Sequence, residues 1–289
     1  MMGDVMADSR RAGRALITGA SAGIGASLAM ALAARGDDLV LVARRLDRLE
    51  ELQRSLSQRY KISVDVLRAD LTRAEDLDRV AAAIESDDRL TLVFNNAGFA
   101  GYRPFKDLDP EMADDLIELH VRAVTRLSRA AVPGMLKRKS GGIINVASLL
   151  SFSGSLAIDR LPARATYAGA KAFIVVFTQC LANEFQGTGV RAMVLCPGIV
   201  ATEFHAVAGM GGPLPGSMSA DDVVRATLRG YEAGEVVCVP GLEDVERIKL
   251  SDEAQSHLLM DGNRSTLAAR YRDRAQAAWT RFRPADLAW

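Results

Sequence analysis

A glycine-rich turn between a strand-like and a helix-like run constrains this chain more than any other feature. Ala15-Leu16-Ile17 leads into Thr18-Gly19-Ala20-Ser21-Ala22-Gly23-Ile24-Gly25, and the helix-like run Ala26–Ala33 follows. Glycine lets a backbone approach a pyrophosphate closely, and free N–H groups at a helix N-terminus point at its charge. The spacing is Gly-x-x-x-Gly-x-Gly rather than Gly-x-Gly-x-x-Gly. Alone it is also compatible with a tight strand-to-helix turn in any α/β protein. In this setting it predicts a dinucleotide site, with Gly19, Ser21, Gly23, Ile24 and Gly25 around the phosphates.

A second strand-like run, Leu39–Ala43, follows the stop signal at Gly36, and the residues at its end bear on the nucleotide. An acidic side chain there would hold a ribose 2′-hydroxyl and repel a 2′-phosphate. Arg44 and Arg45 stand there instead. Guanidinium groups favour a phosphate, so the expected cofactor is NADP(H). The plainer reading makes both arginines solvated loop residues.

Strand-like and helix-like runs alternate along the chain. The strands are expected at 15–18, 39–43, 63–68, 90–95, 142–147, 190–196 and 236–239. The helices are expected at 23–35, 45–59, 73–85, 110–138, 165–186 and 220–233. Near-continuous apolar strands alternating with amphipathic helices predict an α/β fold, a doubly wound parallel sheet of about seven strands with helices on both faces. Residues 1–13 are expected to form a loose tail, 14–241 a single domain, and 242–289 a helical extension on the same domain or on a partner subunit. Leu242, Val245 and Ile248 would mark one apolar face of that extension; Leu258, Leu259, Leu267, Ala268 and Tyr271 would mark another. The segment Gly209, Gly211, Gly212, Pro213, Pro215 and Gly216 reads as a substrate lid or a plain surface loop.

Composition narrows the function. Lys plus Arg and Asp plus Glu both number 36, so no electrostatic field for nucleic acid or a membrane surface is implied. No uninterrupted apolar run reads as a bilayer span, and the polar N-terminus lacks the apolar centre of a signal peptide. Cys180, Cys196 and Cys238 lie in apolar runs without metal-ligand or redox spacing, and read as small core residues. A cytoplasmic protein without a metal is expected.

Tyr167-Ala168-Gly169-Ala170-Lys171 opens a helix-like run, and residues four apart share a helix face. A phenol ionises near pH ~10, and a neighbouring ammonium brings that value down. The pair can therefore donate a proton to a carbonyl oxygen while hydride reaches the carbon. Lys171 is also suited to ribose hydroxyls. Such spacing is common on ordinary helices and is weak by itself. Ser148 ends the run Gly142–Ala147 on the side of the sheet where ligands bind, and its hydroxyl could orient a carbonyl. Ser151 and Ser153 are neighbouring alternatives.

Taken together, the motifs resemble the short-chain dehydrogenase/reductase family from about Arg14 to Gly241. The matching pieces are the Thr18–Gly25 turn, Asp70-Leu71, Asn95-Asn96-Ala97-Gly98, Asn145-Val146-Ala147-Ser148, Tyr167–Lys171 and Pro197-Gly198-Ile199-Val200-Ala201-Thr202, in the family's order. The resemblance implies a Rossmann-type sheet and an NADP-preferring oxidoreductase. In it, Asp70 would bind the adenine amino group with Leu71 beside it. Asn96, Ala97 and Gly98 would line the ribose, and Pro197, Gly198, Val200 and Thr202 the nicotinamide end. Tyr167 would be the proton donor, Lys171 its electrostatic partner and Ser148 the carbonyl orienter.

Two departures stand out. His120 occupies the place where the family usually has an asparagine in a proton relay. It reads either as a structural histidine or as a relay residue giving a pH limb near neutrality. The Ser148–Tyr167 interval is longer than usual, with the extra residues within 151–164. Phe152, Leu156, Ile158 and Leu161 there could meet a bulky apolar substrate, and Arg160 or Arg164 an anionic one. The function expected is reduction of a small-molecule ketone to a secondary alcohol, or the reverse oxidation. Reduction of an imine or activated alkene, and a cofactor-binding module without catalysis, are the alternatives. A homo-oligomer, dimer or tetramer, is expected through the helices at 110–138 and 165–186.

Overall fold

A computed structural model of the chain describes residues 13–156, 161–204 and 215–271. The chain divides after Gly241 into two compact units. In the first, seven parallel strands form one sheet in the order β3-β2-β1-β4-β5-β6-β7. They are β1 Arg14–Thr18, β2 Asp38–Ala43, β3 Val64–Arg68, β4 Leu90–Asn95, β5 Gly141–Val146, β6 Val190–Leu195 and β7 Val237–Cys238. The helices are α1 Gly23–Ala34, α2 Leu46–Tyr60, α3 Ala74–Ser86, α4 Pro110–Ile117, α5 Val124–Arg138, α6 Ala165–Glu184 and α7 Ala220–Ala233.

The sheet buries both faces because successive strand side chains point in opposite directions. Ile17 and Leu41 join Leu28, Leu49 and Val224 from α1, α2 and α7. Their neighbours Leu16 and Val42 join Leu77, Val80, Leu127 and Met135 from α3 and α5 on the other face. The strand order reverses between β1 and β4, so their carboxyl ends open a crevice.

Three expectations change. The single helix expected at 110–138 is split by a π-helical turn, Glu118–Ala123, between α4 and α5. Cys180 is exposed, because α6 turns Phe173, Val176 and Cys180 outward together at helical spacing. One helix, α6, is long and apolar enough by composition to cross a membrane. It nevertheless carries the buried Tyr167 and Lys171 and packs along β6 in this fold. Of the Gly/Pro segment, Pro215 and Gly216 are described; the rest lies outside the described residues, as do Ile158 and Arg160. In the second unit, α8 (Glu246–Gly262) leaves Leu250, Leu258, Leu259 and Met260 exposed.

At the amino edge of the sheet, Arg14 is buried and paired with Asp87 and Asp65. Its Nη1 has no partner among the described residues. Asp87 is 17% exposed at its side chain and Asp65 61%. Removing one partner of a buried pair strands the other charge, whereas an exposed pair contributes little. Asp87→Ala is therefore expected to lower unfolding stability by about 2–3 kcal/mol, and Asp65→Ala by under about 1 kcal/mol, in urea titrations.

Candidate active site

The crevice at the carboxyl ends of the strands is a cavity of about 620 Å³. Its floor begins at the β1–α1 turn. Gly19 and Gly23 have φ of 68° and 54°, a region costly for other residues. Helix α1 begins after Ala22, which offers no side-chain cap, so the first-turn N–H groups are left for an incoming acceptor. Gly25 does not line the cavity. A Cβ there would lie 2.4 Å from the Gly19 carbonyl oxygen, so this glycine lets helix and turn pack closely. Thr202 closes over the turn, with its Cγ2 3.0 Å from where a Gly23 Cβ would stand.

Charged groups gather at the end of β2. Arg45 donates to Ser21 Oγ through Nε and Nη2, at 3.2 and 3.0 Å. Its Nη1 reaches Glu203 at 2.8 Å, and Arg48 holds the other Glu203 oxygen at 2.6 Å. These two arginines hold the Glu203 carboxyl below its ordinary range. Arg44, Arg45, Ser21 and Glu203 all line the cavity. A site that already gathers a carboxylate between two guanidinium groups has the donors a phosphate needs. Further along, Asp70 and Leu71 line the wall after β3. Asp70 is set by its N–H to Asp76 and by Thr72 donating to its Oδ1. Asn96 and Ala97 donate their N–H groups to Thr18 Oγ1, at 2.9 and 3.0 Å, and the Asn96 amide donates to the Thr18 carbonyl. That stitching fixes the β4 loop against β1. Asn96, Ala97, Gly98, Pro197, Gly198, Val200 and Thr202 complete this side of the cavity. With uncapped amides, permissive glycines and clustered arginines in one cleft, these residues fit a phosphorylated dinucleotide.

At the other end, Tyr167 and Lys171 stand one turn apart on α6, 4% and 3% exposed. Lys171 Nζ donates to the Val146 carbonyl at 2.8 Å and lies 5.7 Å from the centre of the Tyr167 ring. Three rings surround the phenol: Tyr102 at 5.4 Å, His120 at 5.7 Å and Phe204 at 6.2 Å. Ser148 follows β5 by two residues and caps the short 3-10 turn Leu149–Phe152 by accepting the Leu150 N–H at 3.1 Å. Its own hydroxyl proton stays available to an acceptor in the cavity. Ser148 lines the cavity. Ser153 Oγ instead donates to the Leu150 carbonyl and accepts from Arg164, and Ser151 Oγ is buried without a partner among the described residues. Arg164 is buried and donates instead to the carbonyls of Ser153, Leu156 and Pro162.

Burial governs the titration of this group. It pushes the Tyr167 phenol far up, with Tyr102 adding to the rise and Ser148 opposing it. It brings Lys171 down to about 7. The simple expectation that the ammonium lowers the phenol is thus outweighed by desolvation among the protein groups alone.

His120 is fully buried beside this pair, on the π-helical turn. Burial, then the charge of Lys171, hold its imidazole well below its ordinary value. It is neutral in the working range, and the neutral-pH limb expected of it belongs more naturally to Lys171. The Phe99 carbonyl lies 2.9 Å from Nε2 and can only accept, so Nε2 carries the proton. Nδ1 is then an acceptor, buried with no partner among the described residues. Gly98 makes room for the ring: a Cβ there would come within 2.8 Å of His120 Cε1. Sequence reasoning missed Tyr102, Phe204 and Glu203. Each lies within a few residues of a recognised motif, but Tyr102 and Glu203 stand in irregular chain and Phe204 at the first position of a helical turn, where no periodicity reveals the direction of a side chain.

Residues 14–209 match the short chain dehydrogenase family. An uncharacterized oxidoreductase of Myxococcus xanthus is 34% identical over 222 residues, 76% of this chain and 84% of that protein. The short-chain dehydrogenase from Sphingobium yanoikuyae, solved in complex with NADPH, is 35% identical. It superposes with a TM-score of 0.85 over 90% of this chain and 100% of its own. The bulky-bulky ketone specific alcohol dehydrogenase from Comamonas testosteroni gives 31% identity and a TM-score of 0.82, over 91% of this chain and 100% of its own.

Lys171 has a measurable consequence for stability. Between about pH 7 and its ordinary 10.5, the unfolded chain holds the Lys171 proton and the folded chain does not. Stability rises with pH wherever the unfolded state binds more protons. Denaturant titrations should show that rise in the native protein, starting near pH 7, and Lys171→Met should flatten it while stabilising the fold at pH 6.

Proposed function

We propose that this chain, which belongs to the short-chain dehydrogenase/reductase family, is an NADPH-dependent reductase that converts a bulky apolar ketone to a secondary alcohol. The observation that carries this reading is the buried Tyr167, one helical turn from Lys171, lining one cavity with Ser148 and an apolar wall. Phe99, Tyr102, Leu149, Leu150, Leu161, Pro162, Ile199 and Phe204 form that wall. Apart from Lys171, the charged lining residues lie at the nucleotide end. The bulky-ketone specificity named for the Comamonas enzyme supports the same substrate class.

NADPH is favoured by Arg44, Arg45 and Arg48 with Ser21 at the end of β2, and by the NADPH in the Sphingobium structure. Asp70 and Leu71 would hold the adenine; Asn96, Ala97 and Gly98 the adjoining ribose; and Gly19, Ser21, Gly23 and Ile24 the pyrophosphate. Pro197, Gly198, Val200 and Thr202 would hold the nicotinamide end. The bound cofactor supplies the hydride. Ser148 orients the carbonyl, and Tyr167 gives its proton to the carbonyl oxygen. Lys171, fixed by Val146, holds positive charge beside the phenolate that remains. His120 serves proton return as a neutral acceptor at Nδ1, with Nε2 anchored on Phe99. The chain acts as a homo-oligomer, with the outward stripe of Phe173, Val176 and Cys180 on α6 meeting a second copy.

NADPH and NADH consumption across a panel of aryl and branched ketones tests the reading. Native protein should turn over with NADPH. Tyr167→Phe should lose about 10³-fold in kcat, and His120→Asn should remain active without loss of a neutral-pH limb. Arg45→Ala should raise KM for NADPH about tenfold and leave NADH within about twofold. NADPH binding without turnover on any ketone would sink the reductase assignment.

A further inference from the structure

A carboxylate of the chain itself occupies the arginines at the nucleotide end. Glu203 belongs to the segment after β6, and Arg45 and Arg48 to the segment after β2. Their ion pairs therefore cross the crevice from one side of β1 to the other. Arg45 Nη1 donates to one Glu203 oxygen at 2.8 Å, and Arg48 Nη1 donates to the other at 2.6 Å.

The backbone beneath Glu203 is pinned. Val200 and Met218 form a parallel bridge, with the Ala201 N–H on the Met218 carbonyl at 2.8 Å and the Met218 N–H on the Ile199 carbonyl at 2.9 Å. Thr202 Oγ1 accepts the Phe204 N–H at 3.3 Å, and its methyl faces Gly23. The Glu203 side chain thus reaches the arginines from a fixed strap, and rotation of that side chain alone can release them. Its hold on them is weak, because the three side chains are 41–48% exposed and exposed ion pairs contribute little.

The donors of the cluster are already engaged. Arg45 uses Nη1 on Glu203 and both Nε and Nη2 on Ser21 Oγ, so each of its nitrogens has a partner. Ser21 accepts those two bonds and keeps its own proton for an incoming oxygen. Arg44, exposed on the same cavity wall, makes no ion pair among the described residues and offers a first contact. An anion seated on Arg45 and Arg48 must take the place of the Glu203 carboxylate. A phosphate ester brings close to two charges and three oxygens against one charge and two oxygens.

We infer that Glu203 sets the nucleotide selectivity of this site by competing with a nucleotide 2′-phosphate for Arg45 and Arg48. The inference rests on the NADPH reading above. A 2′-phosphorylated nucleotide takes the two arginines by displacing the carboxylate, whereas a nucleotide without that phosphate leaves the bridge in place. Glu203 therefore lowers the margin by which the arginines favour the phosphorylated form, since selectivity is a difference between two affinities. Asp47 and Glu51 act on Arg48 by charge alone and form no ion pair with it among the described residues, so neither is a competitor of this kind.

Calorimetric titration of the full chain with 2′,5′-ADP and with 5′-ADP, at low ionic strength, tests the competition without any turnover. Glu203→Gln keeps the side-chain size and removes its charge. It should bind 2′,5′-ADP about three- to tenfold more tightly than native protein and 5′-ADP within about twofold. Glu51→Gln removes the same charge from α2 and should leave both affinities within about twofold. Unchanged or weaker binding of 2′,5′-ADP by Glu203→Gln overturns the inference, because the carboxylate then orders the arginines rather than competing for them. An equal gain for both nucleotides, or an equal gain in Glu51→Gln, marks a general effect of charge and overturns it as well. The native protein's own preference between the two ligands reads the NADPH assignment separately. If native protein binds both alike and Glu203→Gln prefers 2′,5′-ADP, that assignment fails and the competition stands.

Discussion

Removing one phenol and one ammonium from water, a single helical turn apart, is the constraint on which the rest of this site depends. Neither group is comfortable there: burial moves Tyr167 up and Lys171 down, each toward its neutral form. The fold holds them nonetheless, with the Lys171 ammonium on the Val146 carbonyl at the end of β5 and the phenol enclosed by three rings. Behind them Asn145 bridges Asn95 and Thr178, tying β4, β5 and α6 by buried side-chain bonds. Asn95 Oδ1 is left without a partner among the described residues, but the two bonds made by Asn145 still tie the depth of α6 to the sheet.

The cleft is sorted by polarity along its length. Guanidinium groups, a carboxylate and uncapped helix amides lie near β1 and β2, while aromatic and branched apolar side chains lie beyond Ser148. One end can neutralise charge, and the other can only exclude water. Residues 202–204 touch both ends. Glu203 joins Arg45 and Arg48, and Phe204 packs on Tyr167. A change in what the arginines hold is therefore one peptide bond away from the residue whose ring packs beside Tyr167.

Much of this was readable in the chain because local chemistry and global order agree. The runs 15–18, 39–43 and 90–95 are apolar enough to be strands and nothing else, and Gly36 and the Gly19–Gly25 turn punctuate them. Tyr167, Lys171 and Ser148 were marked by motif order, and the structure brings all three to one cavity. The π-helical turn was not readable, since its apolar spacing continues that of the helices on either side. Tyr102 was hidden for a related reason: in an irregular loop no period reveals which way a side chain points. The outward turn of Cys180 escaped because apolar neighbours on α6 occur on both its buried and its exposed sides. The titration of His120 and Lys171 depends on complete desolvation, a property of the assembled cavity rather than of any segment.

The π-helical turn at Glu118–Ala123 also carries a consequence for how the chain tolerates change in length. It accommodates one residue more than the α-helical ladder would, and it does so in the middle of a long rod. Deleting a single residue within this turn would let the ladder close into regular α-helix with the downstream residues still bonded to the same upstream carbonyls, so α5 would keep its angular phase. A deletion in regular α-helix would instead rotate everything beyond it by about 100° about the axis, and Leu127, Ala130, Ala131 and Met135 would swing off the sheet they now cover. The surplus residue that places an imidazole beside the lysine is thus one that α5 can carry, or lose, without turning its apolar face.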